Sequence, residues 1–212
     1  MPAMSRLEAV FCRSAPWRVF TQRAVLPWAL QGLRPEGRVL EVGAGGGAMA
    51  YGLLSSCPGV TMTVTDVDAQ MVCAAARRLA PFGDRVTARR ADATALPFPG
   101  CSFDMVLSWI MLHHTLKWEQ ALAEAVRVAR PGGHVIGYDL LSTAPLRLLH
   151  QAEGAPFRMM RLPELRGALR ALPIDQAILT PSLARTAVRF TLRKASPPVS
   201  PPPGDEAPSG PA

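Results

Sequence analysis

Three glycines in five residues, Gly43, Gly45 and Gly47, close the apolar run 39–42, which only Glu41 interrupts. The run RVLEV reads as a strand, and AMAYGLLSSC directly behind the glycines reads as a helix. A loop of this kind turns tightly and lets a ligand approach bare backbone, because no Cβ stands in the way. The helix start behind it offers unpaired N–H groups and the positive end of the helix dipole. Isolated glycines cost about 1 kcal/mol each inside regular elements, so three together call for a ligand-related reason. The ligand stays open at this point: read as GxGxxA, with Gly43, Gly45 and Ala48, the loop suits a dinucleotide.

The chain alternates around this loop. GVTMTVTD, RVTARRAD, FDMVLSWI and HVIGYDL have strand character, while AQMVCAAARRLA and WEQALAEAVRVA have helical periodicity. Pro131 and the glycines after it are expected to stop the second of these helices. Strand–helix alternation implies an α/β fold, a mostly parallel sheet with helices on both faces. After Leu141 the rhythm changes. PLRLLHQAEGAPFRMM reads as irregular with a turn at Gly154, and LPELRGALRAL as a helix with Pro163 in its first turn. IDQAILT and TAVRFTLRK are separated by so short a link that they are expected to pair antiparallel, as a C-terminal hairpin at one sheet edge. The expected division is an N-terminal helical cap (1–35), an α/β domain (36–194) and a Pro-rich, disordered tail (195–212).

Of 212 residues about half are hydrophobic, and the net charge is +7 with only two lysines, Lys117 and Lys194. No basic run is interleaved with stacking aromatics, so no nucleic-acid partner is expected. No apolar run is long enough to span a bilayer and no signal-peptide core is visible, which points to the cytoplasm. Cys12, Cys57, Cys73 and Cys101 show no metal-ligand spacing and are expected to be reduced, mostly buried thiols.

Val39, Leu40, Glu41, Val42, Gly43, Ala44, Gly45 and Gly47 resemble the first motif of class I S-adenosylmethionine-dependent methyltransferases, two apolar residues and an acid before GxGxG. The resemblance implies a Rossmann-like seven-stranded sheet with S-adenosyl-L-methionine as cofactor. It places Glu41 near the cationic amino group of the cofactor's methionine end. Asp66, ending the second strand, would accept from both ribose hydroxyls, a device that dinucleotide enzymes share. Val67 would pack on adenine, and Asp68 is better placed as a helix N-cap. The order of motifs in RRADATALPFPGCSFDMVLSW then favours the methyltransferase pattern, with Asp92 meeting the adenine amino group and the Ala93 N–H meeting ring N1. MLHHT and RVARPGGHVIGYDL resemble the type 11 branch, which contains the ubiquinone and menaquinone methyltransferases. Lys117 and Trp118 depart from that pattern, where an acid and a proline are usual.

The resemblance implies that the backbone of Ser108 and Trp109 borders the transferred methyl. A sulfonium methyl is already activated, so alignment and exclusion of water are what the protein must supply. His113 is the candidate general base; the same residue would also serve as a packing histidine that caps the loop. Tyr138, Asp139 and His150 lie near the same strand ends or the lid. The adjacent His113 and His114 lack a carboxylate cluster, so no metal is expected. The acceptor is expected to be a small, apolar, lipid-like molecule, and the Arg- and Trp-rich segment 5–33 would either close over the cofactor or touch a membrane surface. Oligomeric state is not legible. The competing readings are an NAD(P)-dependent oxidoreductase and a non-catalytic S-adenosylmethionine-binding partner protein. The absence of an Asn/Asp-Pro-Pro-aromatic motif argues against methylation of nucleic-acid bases.

Overall fold

The computed structural model describes residues 21–30, 32–153, 157–182 and 184–197. Seven strands form one sheet in the order β3-β2-β1-β4-β5-β7-β6. They are β1 (Gly37–Val42), β2 (Val60–Asp66), β3 (Val86–Arg90), β4 (Phe103–Trp109), β5 (Ala129–Leu140), β6 (Ile174–Pro181) and β7 (Ala187–Lys194). β7 runs antiparallel to both its neighbours, β5 and β6. The pairs from β3 to β5 are all parallel. The C-terminal hairpin and the parallel sheet are therefore as the sequence implies.

A turn of π-helix (Thr21–Val25) runs into α1 (Leu26–Leu30), and α2 (Ala48–Ser56), α3 (Ala69–Leu79), α4 (Trp118–Val128), α5 (Ala144–Glu153) and α6 (Leu162–Arg170) follow. Two apolar layers sandwich the sheet. One gathers Leu40, Val106, Trp118, Leu122 and Val135 against α4 and α6. The other gathers Val39, Leu53, Leu54, Leu107 and Ile136 against α1, α2 and α3. Burial on both faces explains why β1 and β4 read as continuous apolar runs, and why the acid inside β1 stands out.

Three expectations need correction. The segment after Leu141 is not irregular: α5 occupies ten residues of it. Pro145 falls in the first turn, where a missing N–H is harmless, and no further breaker occurs before Gly154. The helix before RPGG ends at Val128, and Pro131 then lies inside β5, which opens two residues earlier at Ala129. The residue before a proline is driven to extended backbone, so Arg130 continues a strand as readily as it ends a helix. The cysteines are free but not mostly buried: Cys73 and Cys101 are exposed and Cys57 is half-buried, while Cys12 lies outside the described residues. Most of the expected cap and tail, and the turn at Gly154, also lie outside them.

Candidate active site at the carboxyl edge of the sheet

The strand order reverses between β1 and β4, whose outward neighbours run to opposite edges. A crevice forms at such a switch point, because the connections leave on opposite faces. The glycine loop lies there, and each glycine has its own reason. A Cβ on Gly43, at φ +68°, would fall 2.1 Å from Cγ of Met111. Gly43 thus makes room for the chain that follows β4. At Gly45, φ +52°, a Cβ would meet nothing within 4 Å, so its bare side faces open space. Gly47 caps α2 and packs against Ala75 and Leu79 of α3.

Asp66 fastens this loop. Its Oδ2 accepts the Gly45 N–H at 2.9 Å and its Oδ1 accepts the Asp68 N–H at 2.9 Å. Burial raises its pKa against the pull of those two donors. Asp68 caps α3 by accepting the Gln70 N–H at 2.7 Å, as its sequence context suggests. Arg78 of α3 donates to the Gly46 carbonyl, holding the loop from the other side. Val67 is half-buried just past β2, with its carbonyl accepting from Arg90.

Glu41 is 2 % exposed, and its Oε2 has no hydrogen-bond partner. Burial first, and the charge of Asp66 second, push its pKa up to about 8. An unpaired carboxylate in so dry a place is costly, and a cationic ligand group would relieve that cost.

Asp92 follows β3. Its Oδ1 accepts both the N–H and the hydroxyl of Thr94 at 2.8 Å. Burial works against ionisation there, but the Thr94 bonds and the nearby charge of Lys117 outweigh it and lower the pKa. Ala93 beside it is buried. Ser108 and Trp109 are the last two residues of β4. Both are buried, with Ser108 Oγ and Trp109 Nε1 unpartnered. Register puts Ser108 beside Val42 on one sheet face and Trp109 on the opposite face, which Glu41 shares.

Asp139, at the end of β5, organises the chain after β4, a role that its position in the sequence does not announce. Its Oδ2 accepts the N–H groups of Met111 at 2.9 Å and Leu112 at 2.6 Å, and its Oδ1 meets His113 Nδ1 at 2.6 Å. Burial alone would raise its pKa, but the His113 ring and the backbone donors hold it below the usual carboxylate range. His113 is 1 % exposed, and its carbonyl accepts the Arg158 N–H at 2.8 Å. Ile110, just before this turn, sits at φ +47°, an outlying conformation for a β-branched residue. The signal for Asp139 in the sequence is an acid at the end of a buried strand opposite an apolar loop containing histidine. Trp118 replaces the expected proline by becoming a fully buried core residue.

Among the described residues no cluster of His, Cys, Asp and Glu could hold a metal ion, and no helix is long and apolar enough to cross a membrane.

Residues 39–133 match the family profile of a methyltransferase domain. That stretch is a little under half of the chain. The chain is 36 % identical over 135 residues to a demethylmenaquinone methyltransferase of Clavibacter sepedonicus, covering 64 % of the chain and 51 % of that protein. It is 40 % identical over 93 residues to ribosomal RNA small subunit methyltransferase H of a Nostoc strain, covering 42 % and 31 %. The chain thus spans about half, or less, of the length of these curated relatives. In fold it is similar to phosphoethanolamine N-methyltransferase 2 of Haemonchus contortus, solved with phosphomonomethylethanolamine and S-adenosylhomocysteine. That match has a TM-score of 0.69 at 16 % identity and covers 83 % of this chain and 52 % of the other.

Proposed function

We propose that this protein moves the methyl group of S-adenosylmethionine to a small-molecule acceptor. Glu41 carries the reading. Its buried, partnerless carboxylate stands beside the glycine loop and favours a ligand that brings a cation. A dinucleotide would bring an anionic pyrophosphate and no cation to the same loop and would leave Glu41 unpartnered, which counts against the oxidoreductase. In this reading Glu41 faces the cofactor's amino group, Gly43, Ala44, Gly45 and Gly47 line its methionine end, Asp66 takes the ribose, and Val67, Asp92 and Ala93 take the adenine. When bound, the sulfonium supplies an electrophilic methyl; the chain's share is to hold, orient and keep water out.

The His113–Asp139 pair supports reading His113 as the pin of the chain after β4 rather than as a base. Its ring is enclosed and its Nδ1 is committed to a carboxylate. The names of the quinone-pathway relatives favour a small acceptor; the ribosomal RNA relative is the reason to test RNA as well. The exposed Leu116, Leu148 and Trp28 are compatible with an apolar acceptor delivered from a membrane surface.

Calorimetric titration with S-adenosylmethionine, S-adenosylhomocysteine and the nicotinamide dinucleotides tests the reading. Micromolar binding of the adenosyl ligands alone is expected; binding of a dinucleotide instead would overturn it. Binding without turnover on quinols, phenols, amines and RNA would favour the non-catalytic alternative.

A further inference from the structure

The outer edge of the sheet takes no part in the cofactor site. β6 stands last in the strand order, with β7 on its inner side and no strand on its outer side among the described residues. An edge strand presents unpaired N–H and C=O groups, and proteins blunt such edges with bulges, prolines and charges. Here those devices stand only at the two ends. The register slips between Ile174 and Gln176, and Pro181 closes the strand. The five residues between, Gln176, Ala177, Ile178, Leu179 and Thr180, bring neither proline nor charge. Ile178 is 43 % exposed.

A groove of about 520 Å³ lies between this edge and α6, the helix that leads into β6. Leu169, Leu172, Ile174 and Leu179 give it an apolar floor. Arg166 and Arg170, one helical turn apart on α6, line it as exposed side chains. Among the described residues neither guanidinium has a hydrogen-bond or ion-pair partner. The acid in the groove, Asp175, is already answered by the Arg193 fork at 2.8 and 2.9 Å. Free backbone, apolar surface and uncommitted positive charge thus stand side by side.

Charge decides what fits there. A second copy of this chain would pair β6 with β6 antiparallel about a two-fold axis perpendicular to the sheet. That axis keeps α6 of both copies on one face, so four uncommitted arginines would share one seam, and like charges there oppose the pairing. No aromatic ring lines the groove for nucleic-acid bases to stack on. An acidic strand meets neither obstacle, and the net charge of +7 attracts it. The spacing also fits. Residues four apart on a helix rise about 6 Å, and residues two apart on a strand, which share a face, about 7 Å. Leu179 packs on the α6 side of the sheet, so Ile178 beside it points to the opposite face. Acids at every second position of an added strand would meet Arg166 and Arg170, and the residues between them would lie beside Ile178.

We propose that the outer edge of β6 and the Arg166–Arg170 face of α6 form a docking site for an acidic protein strand, one with Asp or Glu at every second position, which extends the sheet. Main-chain pairing supplies the affinity and the two arginines the selectivity. The site lies four strand spacings, about 19 Å, from β1 in this strand order. It is separate from the glycine loop and does not depend on the methyl-transfer reading.

The test uses the full chain and a fluorescein-labelled heptapeptide of alternating Glu and Val, read by fluorescence anisotropy. Two further peptides accompany it, one with Lys in place of Glu and one with every backbone nitrogen methylated. The Glu peptide should bind roughly tenfold or more tighter than the Lys peptide. The methylated peptide keeps the charges but cannot donate to a strand edge, and should bind at least about tenfold more weakly than the Glu peptide. Joint replacement by Arg166→Gln and Arg170→Gln should cut the preference for Glu over Lys about tenfold. No binding of the Glu peptide, equal binding of the Lys peptide, full binding of the methylated peptide, or a preference that survives in the double variant overturns the proposal. Binding seen only when the chain is shortened after Ala195 would give the edge to the chain's own residues 196–212. A dimer in sedimentation that the Glu peptide dissociates would give it to a second copy. Either result overturns the proposal as well. Both arginines are exposed, so the double variant should keep its thermal midpoint; if it does not fold, the three wild-type titrations decide the matter.

Discussion

Glu41 is mostly protonated at neutral pH in the free protein, because burial lifts its pKa to about 8 from 4.5. Between those values the folded state holds a proton that the unfolded state has released. The contribution of Glu41 to stability therefore falls as pH rises from about 4.5 to 8 and levels off above. Glu41→Gln removes this slope: near pH 5 it should match the wild type, and at pH 8 it should be more stable by a few kcal/mol in urea unfolding. The same substitution should weaken S-adenosylmethionine binding. In the wild type, a cation settling beside Glu41 should drive that proton off. Calorimetry at pH 7 in buffers of different ionisation enthalpy should then record release of up to about one proton on binding. The glycines separate in a second residue-scale test. Gly43→Ala drives a Cβ into Met111 and should cost roughly 3 kcal/mol of stability. Gly45→Ala meets no neighbour, so it should cost only the roughly 1–2 kcal/mol of a left-handed backbone while weakening cofactor binding.

At the scale of elements, Asp139 ties β5 to the turn after β4, and that turn carries Met111 to Gly43 in the loop after β1. Three strand ends thus depend on one carboxylate. Asp139→Asn keeps the shape but leaves His113 and the backbone donors short of acceptors. It should lower stability by about 2–4 kcal/mol in urea unfolding and reduce cofactor affinity as Met111 loses its seat. This device was poorly legible from sequence. The acid and the histidine are 26 residues apart in the chain, and the two stretches that hold them, MLHHT and RVARPGGHVIGYDL, do not say that they pair. The places of Glu41, Asp66 and Asp92 near the carboxyl ends of β1, β2 and β3 were legible because each stands beside a strand end at a fixed place relative to the glycine loop. α5 was misread because its single proline lies in the first turn, where it does not act as a breaker.

At the scale of the molecule, the sheet closes with β7 inserted between β5 and β6, and Ala195 still pairs with Pro173 after β7 ends. Ending the chain after Ala195 should leave the thermal midpoint and the affinity for S-adenosylhomocysteine unchanged, checked by a melt and a titration of the shortened protein; a drop in either would mean that the Pro-rich segment contributes to the fold. The sequence by itself determined the strand–helix alternation, the parallel sheet and the switch-point loop, because these follow from local periodicity and from residues that constrain their own backbone. Only the tertiary structure decided that Trp109, Tyr138 and Arg189 form one row, that Gly43 serves Met111, and that Asp139 holds His113. Those relations depend on which strands become neighbours and in what register. Strand order is settled by packing both faces of the whole sheet at once, and no local stretch of sequence carries it.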